Sequence, residues 1–535
     1  MVMKKFTVLL LAMLLVVSAL GGCGGGGSSQ PASSEAAPAG SEAASSEGGG
    51  TETAGGDNFN ADLVLTQATD MIHWDPIASS DIPNSTILFT IYSRLFKSDK
   101  DFKPVPELCE KAEMISDTEW HFKIYENIVC HDGSIIKADD VLFSLQRAAE
   151  GVTLGALFKP VTGMTKVDDL TISITTDGPY PGLMTALSHV ATSILPKSYV
   201  EKAVAEDDWT QPIGSGRYQF ESRIIGDSVK VVRFDGYFNQ EDKAKNNSLT
   251  FKIIPEGTSR TIAVETGQVD LNIDFETIDY DRVINNPDLK LWEEPTAQSY
   301  YIGMDTTLPW LDNKLVRQAI NFAVDREACL EVALNGHGTV LYNCANCAPT
   351  VLGGVNNPLD KYSYDPEKAK ALMVEAGCTG FDTELYCYTE YAERVATLVQ
   401  SYLAVIGINA SVHRVESATL YAQALEHKAP MFINTWACYW DPDLFLVRRF
   451  TEAGFGGVNR AWYSNPELDA MLVEGRQSAD EATRAAVYKR IQEFMAEEAV
   501  QADLFTNNAF ALTRAGLKGV IVGSEKVSFL DQLHY

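Results

Sequence analysis

The segment that decides the fold begins with Glu119-Trp-His-Phe-Lys-Ile-Tyr125, continues through His131-Asp-Gly133 and ends in Ala138-Asp-Asp-Val-Leu-Phe-Ser-Leu-Gln-Arg147. In the first part, large apolar residues alternate with mostly polar ones, which is the pattern of a half-buried strand. The His-Asp-Gly sequence predicts a turn. In the last part, acidic residues come first and apolar residues recur at helical intervals until about Gly151, so this part predicts a helix.

Similar units continue on both sides of this segment. Further strands are predicted at 61–67, 170–175, 228–234, 249–254, 269–273, 300–304, 409–415, 431–436 and 502–513. Helices are predicted at about 85–96, 312–334 and 366–377, and again from 466 onward. The last two follow Asp365 and Asn465, each of which can cap a helix whose first turn begins with proline. Short strands that alternate with amphipathic helices predict the α/β class.

The N-terminus has the order of a secretory signal. Two lysines precede an apolar run from Phe6 to Leu20, and small residues follow up to Cys23. The run is too short to span a bilayer. Leu20-Gly-Gly-Cys23 resembles a bacterial lipobox, whose cysteine receives a diacylglycerol and becomes the mature first residue. We therefore expect a lipoprotein signal peptide at 1–23 and lipidation of Cys23, with an ordinary signal peptide as the alternative.

Residues 24–56 consist almost wholly of Gly, Ser, Ala, Glu, Pro and Thr. Such a segment has no large apolar side chains to bury, so it cannot offset the entropy lost on ordering. We expect a disordered tether with an end-to-end distance on the order of 30 Å. Together with lipidated Cys23, it would hold the protein outside the cytoplasm, on the outer face of the cell membrane.

Residues 57–535 have the composition of a soluble globular protein, with no second apolar stretch long enough for a membrane span. A body of this size favours two or three domains. The whole chain carries a net charge of -29. This charge argues against nucleic acid and anionic lipid headgroups as partners, because phosphate-binding surfaces are rich in Lys and Arg.

Little in the sequence indicates catalysis or a cofactor. There is no G-x-S-x-G elbow, no H-E-x-x-H and no phosphate-binding loop, so we expect neither an enzyme nor a cofactor. Eight cysteines follow Cys23, including Cys344-Ala-Asn-Cys347. A single CxxC lacks the second ligand pair of a zinc site, so a loop disulfide or free buried thiols are expected there rather than a metal.

Five motifs, taken together and in this order, resemble a known protein family. They are the stretch from Pro104 through the strand, turn and helix described above, then Pro212-Ile-Gly-Ser-Gly-Arg-Tyr218, Val316-Arg-Gln-Ala-Ile-Asn-Phe-Ala-Val-Asp-Arg326, Tyr364-Asp-Pro-Glu-Lys-Ala-Lys-Ala-Leu-Met373 and Tyr463-Ser-Asn-Pro-Glu-Leu-Asp469. They are similar to the signatures of family 5 of the bacterial extracellular solute-binding proteins, which serve dipeptide, oligopeptide and nickel importers. The similarity extends from about Ala61 to Tyr535.

The resemblance implies a bilobal fold of the periplasmic-binding-protein type, with a hinge between two α/β lobes and an extra domain on the first lobe. The implied first lobe comprises residues 57–95, 215–312 and 503–535. The extra domain comprises 96–214, and the second lobe 313–502.

The resemblance also implies a function: capture of a di- or oligopeptide by lobe closure, and delivery to the permease subunits of an ABC importer by a monomeric binding protein. Closure removes ligand and cleft from water, which strengthens each polar contact. Import of a non-peptide solute such as an oligosaccharide is an alternative. A ligand-sensing receptor and a secreted hydrolase are alternatives of other classes.

Peptide-binding members carry a W-x-x-D-x-x-D-P-like segment whose first aspartate pairs with the ligand's ammonium group. The corresponding run here is Asn434-Thr-Trp-Ala-Cys-Tyr-Trp-Asp-Pro-Asp443. Cys438 stands where that aspartate would be, and a neutral thiol cannot supply the charge-assisted bond. Either the ligand lacks a free amine, or Asp441 or Asp443 replaces the missing carboxylate.

The remaining candidate ligand contacts are aromatic or polar side chains near the same cleft. Flat amphipathic rings stack on apolar ligand groups and on sugar faces alike. The candidates in the second lobe are Asn434, Trp436, Tyr439 and Trp440, with packing in the core as the alternative for the rings. In the first lobe, His73 and Trp74 follow the first strand, where a loop faces the cleft.

Overall fold

The computed structural model describes residues 58–78, 82–101, 103–151, 154–155, 157–359, 361–478, 480–523 and 526–535. Strands and helices alternate through these ranges, which confirms the predicted α/β class. The strands are β1 (Asp62–Gln67), β2 (Phe96–Ser98), β3 (Pro104–Pro106), β4 (Cys109–Ser116), β5 (Glu119–Ile124), β6 (Val161–Lys166), β7 (Thr171–Thr176), β8 (Tyr218–Ile224), β9 (Ser228–Arg233), β10 (Ser248–Ile253), β11 (Leu271–Asn272), β12 (Leu289–Met304), β13 (Gly338–Val340), β14 (Phe381–Cys387), β15 (Ile408–Arg414), β16 (Met431–Ala437), β17 (Gln501–Arg514), β18 (Ile521–Gly523) and β19 (Lys526–Ser528).

The helices alternate with these strands along the chain. They are α1 (Ile82–Ile91), α2 (Ala138–Glu150), α3 (Leu183–Ala186), α4 (Lys197–Glu206), α5 (Gly257–Glu265), α6 (Tyr280–Val283), α7 (Lys314–Ala323), α8 (Arg326–Leu334), α9 (Pro366–Glu375), α10 (Glu390–Val405), α11 (Ser417–Leu425), α12 (Asp443–Phe450), α13 (Pro466–Arg476) and α14 (Glu481–Glu498).

One mixed sheet organises the body, in the order β15-β14-β16-β12-β17-β11-β1-β10-β9-β8, with β13 also paired to β17. On one side β1 is parallel to both β10 and β11. On the other side β14 is parallel to both β15 and β16. We call the part built on β8–β11 and β1 the first lobe, and the part built on β14–β16 the second lobe.

Two long antiparallel strands, β12 and β17, connect the lobes. Their pairing extends from Leu289 opposite Arg514 to Gly303 opposite Gln501. It is interrupted between Pro295 and Ser299, where proline removes a ladder donor and the strand departs from regular pairing. This interruption marks the hinge. The predicted residue boundaries of the lobes stay predictions.

The segment that opened the sequence analysis forms a separate four-stranded sheet, in the order β4-β5-β7-β6, with α2 packed against it. Phe122 and Ile124 of β5 point into its core together with Val141 and Leu145 of α2. The alternation in the strand and the helical spacing after it therefore supply the two halves of one core, as predicted.

The turn after β5 contacts the glycine-rich turn at 212–218. His131 Nδ1 accepts a hydrogen bond from the Gly214 amide at 3.2 Å, and its Nε2 lies 3.3 Å from the Gly216 carbonyl oxygen. Burial lowers the pKa of His131 to about 4. A Cβ at Gly216 would come within 2.5 Å of the Ile91 carbonyl. The two motifs thus hold each other and the end of α1.

Two predicted helices differ from the observed ones. The helix predicted at 85–96 ends at Ile91, whose carbonyl accepts the Gly216 amide at 2.8 Å. The helix predicted at 312–334 is two helices, because Val324 is extended and the Asp325 side chain caps α8 through the Ala328 amide. The predicted strand at 300–304 is only the last part of the 16-residue β12.

The cysteines of the described residues are all buried and unpaired, including Cys344 and Cys347. Of the two expectations for that CxxC motif, free buried thiols are what the structure has. No helix within the described ranges combines the length and apolar character that a membrane crossing requires.

Candidate functional site

A cavity of 340 Å³ lies at the hinge. Its lining comes from the residues after β1 and β11, from α5 and from the middle of the two connecting strands. They are Ala68, Arg260, Ile273, Asp274, Phe275, Glu276, Thr296, Gln298, Asn507, Asn508, Ala509 and Phe510. Open α/β sheets bind ligands outside the carboxyl ends of their strands, which makes this cavity the candidate ligand cleft.

The wall from the first lobe is held firmly by its own hydrogen bonds. Arg260 is buried and donates to the carbonyls of Ile254 and Pro255 at 2.9 and 2.7 Å. The same guanidinium forms an ion pair with Glu276 at 2.7 Å. The Asp274 carboxylate accepts the Ala68 amide at 2.8 Å. The polar groups of this wall are therefore fixed before a ligand arrives.

We call the carboxyl end of β16 the wall from the second lobe, because it pairs with the cavity-lining part of β12, although no residue of β16 lines the cavity itself. Gln298, which lines the cavity, is opposite the exposed Ala437 in the pairing of β12 with β16. One step along the strands, Ser299 is opposite Trp436, and Tyr301 is opposite Asn434. Because side chains alternate along a strand, Asn434, Trp436 and Tyr301 share one face of the sheet.

Two of the predicted ligand contacts, Asn434 and Trp436, belong to this wall. The Asn434 amide oxygen accepts the Thr435 amide at 2.8 Å, whereas its Nδ2 atom is buried without a partner among the described residues. Trp436 is half-buried, and its indole Nε1 is also buried and unpaired within the described part of the chain. Both side chains therefore have a free donor near the cleft.

Cys438 lies just beyond the end of β16, with only 3% of its surface exposed. Its thiol contacts the backbone carbonyl of Asn346. Burial raises the pKa of the Cys438 thiol to about 12. The thiol is neutral at physiological pH, so it cannot act as the missing carboxylate.

The rings of Tyr439 and Trp440 are half-buried. Tyr439 packs against the core of the four-stranded sheet and against that of the second lobe. Trp440 lies under the Lys103 ammonium group, 5.5 Å from its ring centre. Both rings thus contact other parts of the fold, and a role in ligand contact stays a prediction.

Asp441 and Asp443 are both paired with arginines. Asp441 is 1% exposed, and both of its carboxylate oxygens accept from Arg484 Nη2, at 2.8 and 2.7 Å. Asp443 is 5% exposed and accepts from Arg476 Nε at 2.9 and 2.8 Å. These carboxylates already have cationic partners, so the structure offers no free negative charge at either position for a ligand's ammonium group.

Asp443 also lines a second cavity of 680 Å³, which lies between α12, α13, the loop around Gly454–Gly457 and residues 177–180. Burial raises the pKa of Asp443 to about 6, although the Arg476 guanidinium acts in the opposite direction. This cavity extends along α12 from Asp443 to Arg448, and its lining shares no residue with that of the hinge cavity.

The two candidate ligand contacts in the first lobe differ in burial. His73 is exposed, and its backbone is held by the Asn84 side chain, which donates to the His73 carbonyl at 2.7 Å. Trp74 is buried and packs edge-on against Phe220, with ring centres 5.0 Å apart. Trp74 is thus part of the first-lobe core, and His73 stays a candidate. Cys23 lies outside the described residues.

A cluster that the sequence analysis did not identify lies behind Trp436. Arg449, in the last turn of α12, is 4% exposed and places its guanidinium 4.4 Å from the Tyr301 ring centre and 4.8 Å from the Trp436 ring centre. Arg460 stacks on Tyr421 at 3.9 Å. The available signal was the pair of arginines, Arg448 and Arg449, between the apolar Val447 and Phe450 of a mostly buried helix.

A buried polar network holds this cluster to the connecting strand β17. Arg449 Nη2 donates to the Gln501 side chain at 3.1 Å. Gln501 in turn donates to Asp503, which also accepts the Asn346 amide at 2.7 Å. Burial raises the pKa of Asp503 to about 6. The hydrogen bonds thus link Arg449 to this carboxylate through Gln501. Burial lowers the pKa of Arg449, and the charge of Asp503 also acts directly to raise it.

Comparisons with known proteins agree with this architecture. The family model described as bacterial extracellular solute-binding proteins, family 5, matches residues 103–457. The glutathione-binding protein GsiB of Pectobacterium atrosepticum is 28% identical, over 86% of this chain and 91% of that protein. GsiB of Escherichia coli K12 is 27% identical, over 82% and 87%.

Solved structures have the same fold. HbpA2 of Haemophilus parasuis matches with a TM-score of 0.81 at 26% identity, over 88% of this chain and 99% of that one. The periplasmic binding protein DppA of Helicobacter pylori, solved in complex with the peptide STSA, matches with a TM-score of 0.74 at 22% identity, over 89% and 98%. The likeness to DppA concerns the fold alone.

Proposed function

Since this chain belongs to the bacterial extracellular solute-binding proteins of family 5, we propose that the solute it captures for an ABC importer is a peptide. The chain is a solute-binding protein by its family, and its relatives are binding proteins rather than enzymes. The nature of the solute, the anchor and the lobe boundaries are the parts that we propose.

The observation that carries the proposal is the hinge. A pair of strands joins the two lobes, its regular pairing stops between Pro295 and Ser299, and a cavity opens at that point. A few residues at such a position can absorb the change in backbone angles that closes two lobes on a ligand. Closure then follows if the ligand binds the closed state better than the open one.

One observation favours a peptide over a sugar, and a second fits a peptide without discriminating between the two. The GsiB relatives are named for glutathione, which is itself a tripeptide. In addition, the wall from the second lobe has buried donors on Asn434 and Trp436 that lack partners among the described residues, and such donors suit the carbonyl and carboxylate oxygens of a short peptide.

We also propose the placement of this protein on the membrane and the extent of its lobes. Lipid on Cys23 would anchor the chain to the outer face of the cell membrane, with residues 24–56 as the tether. The lobes would follow the boundaries given above, at 312 and 502, with the protein acting as a monomer on its permease subunits. Replacement of Cys23 by serine should move the protein from the membrane fraction to the soluble extracellular fraction.

Calorimetric titration of the full chain in detergent, after removal of co-purified solute, tests the peptide proposal. The panel comprises trialanine, glutathione and mixed tripeptides on one side, and maltotriose and cellotriose on the other. We expect saturable binding of at least one peptide and no response to either sugar. Sugar binding without any peptide response would refute the peptide specificity and leave the importer role intact.

A further inference from the structure

Arg449 is a buried cation with most of its hydrogen-bonding capacity unused. Its Nε and Nη1 atoms are buried and have no partner among the described residues. Its Nη2 atom donates to a neutral amide oxygen, that of Gln501. Burial lowers the pKa of Arg449, and the nearby Arg460 acts in the same direction.

The groups around Arg449 are also donors without partners. Within the described residues, these are Arg460 Nε, Trp436 Nε1, Asn434 Nδ2 and the Tyr301 hydroxyl, all buried. Tyr301, Asn434 and Trp436 share one sheet face, Arg449 lies over two of their rings, and Tyr421 joins Arg460 to Asn434. Donors from two arginines and three neighbouring side chains therefore meet in one place.

Two other buried arginines among the described residues have a carboxylate partner, and the fully buried Arg326 is held by backbone and amide oxygens. Arg484 has Asp441, and Arg260 has Glu276 together with backbone carbonyls. An unpaired buried charge costs several kcal/mol, so it is normally compensated by an opposite charge. A protein with a net charge of -29 has acidic residues in excess, yet among the described residues Arg449 is hydrogen-bonded to Asp503 only through Gln501. The cluster is suited to an anion from outside the chain.

The cluster is close to the hinge cavity. Gln298 lines that cavity and is paired with Ala437, and the next pair along the strands is Ser299 with Trp436. Because side chains alternate along a strand, Trp436 lies on the sheet face opposite to Gln298, so the cluster borders the cavity rather than lining it. Arg460 and Trp436 are only half-buried, so they form the accessible side of the cluster while Arg449 lies beneath them. A solute has to approach the cluster from this side.

We propose that Arg449 and Arg460 bind a carboxylate group of the captured solute, with Trp436, Asn434 and Tyr301 as further donors. The inference rests on the proposed capture of a solute in this cleft and specifies its chemical class: an acid, recognised through its carboxylate. A planar guanidinium matches a carboxylate with two parallel hydrogen bonds. Recognition through the acid group also agrees with Cys438, because its neutral, buried thiol cannot form an ion pair with a ligand's ammonium group.

The test uses one peptide in three forms. The peptide is the one that binds tightest in the panel above, prepared as the free acid, as the C-terminal amide and as the N-acetylated acid. Full chain stripped of solute is titrated with each form. We expect the amide to bind about 30-fold more weakly or worse, because a buried arginine loses its charged partner. The N-acetylated acid should bind within about threefold of the free acid.

Variants assign the effect to the cluster. Arg449→Met and Arg460→Met each remove a guanidinium and keep much of the apolar stem, and both should abolish the preference for the acid over the amide. Arg449→Lys keeps the charge but not the planar fork, so it should retain part of the preference. Arg448→Met is the matched control, because Arg448 is the adjacent residue and lines the other cavity; it should bind like wild type.

The outcomes separate this inference from the peptide proposal. Equal binding of acid and amide, or an unchanged preference in Arg449→Met, would overturn the carboxylate site while peptide capture stands. If no peptide binds, the same variants are titrated with non-peptide dicarboxylates and with neutral sugars. Binding of a dicarboxylate that is lost in Arg449→Met would support the site without the peptide. Binding of neutral solutes only, or of no acid at all, would overturn it.

Discussion

The two ends of helix α12 carry buried charges in opposite situations. At its N-terminal end, Asp441 and Asp443 are matched by Arg484 and Arg476 with short hydrogen bonds. At its C-terminal end, Arg449 is equally buried but has a single neutral acceptor among the described residues. The helix dipole favours the sign of charge at both ends, so the dipole does not explain the difference.

The difference indicates which charges belong to the fold and which are available to a ligand. A matched pair has no capacity left for another group, whereas an unmatched guanidinium can gain from one. Buried charges are retained only when they are compensated. The comparison therefore assigns the acidic end of α12 to stability and the basic end to ligand binding, and the predictions below test that assignment.

The largest expected effect is at the matched end. Asp441→Asn leaves Arg484 buried without its counter-charge, so we expect a loss of about 3–5 kcal/mol in the free energy of unfolding. Chemical unfolding of the full chain, followed by circular dichroism, measures this loss. Glu474→Gln is the control, because Glu474 and Arg490 form an exposed pair whose loss should hardly change the free energy of unfolding.

A small loss in Asp441→Asn, similar to that of Glu474→Gln, would contradict the assignment of this end to stability. In that case Asp441 would be available for a ligand's ammonium group. The affinity of the folded variant for the peptide panel would then have to fall, which the assignment to stability does not predict.

The sequence predicted the fold well where the signal is local. Strand β5, helix α2 and the turn between them follow from alternation, helical spacing and the His-Asp-Gly sequence. The predictions from sequence failed where a contact between residues far apart in the chain determines where an element ends. Helix α1 ends early because the Ile91 carbonyl accepts the Gly216 amide, 125 positions later, and no local pattern contains that contact.

The site was predictable only in part, for the same reason. The resemblance of residues 434–443 to the family's W-x-x-D-x-x-D-P-like segment identified Asn434 and Trp436 as candidates in the wall from the second lobe. It also showed that Cys438 stands in the place of the expected aspartate. It could not show that Asp441 and Asp443 are neutralised, because Arg484 and Arg476 come from two later helices. Nor could it identify Arg449, whose isolation depends on what surrounds it in space rather than on its neighbours in sequence.

A smaller effect is expected from the titration of Asp443. Burial raises its pKa from the ordinary aspartate value of 3.8 to about 6 in the folded state. Between these pH values the folded state holds a proton that the unfolded state has released, so this group's contribution to stability falls as pH rises from 4 to 6. The difference in unfolding free energy between wild type and Asp443→Asn should therefore fall by up to about 1.4 kcal/mol per pH unit.

Unfolding at pH 4.5, 5.5, 6.5 and 7.5 measures that slope, and groups common to both proteins, such as Asp503 and His131, cancel in the difference. Above pH 6.5 the difference should become constant. A difference that instead grows with pH would mean that pairing with Arg476 outweighs burial, and that the folded pKa lies below the unfolded one.

The smallest expected effect on stability is at the unmatched end. Arg449→Met removes one hydrogen bond and three ring contacts, but also a buried charge without a directly hydrogen-bonded counter-ion, so without solute its unfolding free energy should stay within about 1 kcal/mol of wild type. Addition of the peptide acid should raise the melting temperature of wild type, since only the folded state binds it, and should leave that of Arg449→Met unchanged. A loss of several kcal/mol without solute would instead make Arg449 part of the fold, equivalent to Arg484, and would remove the distinction between the two ends of α12.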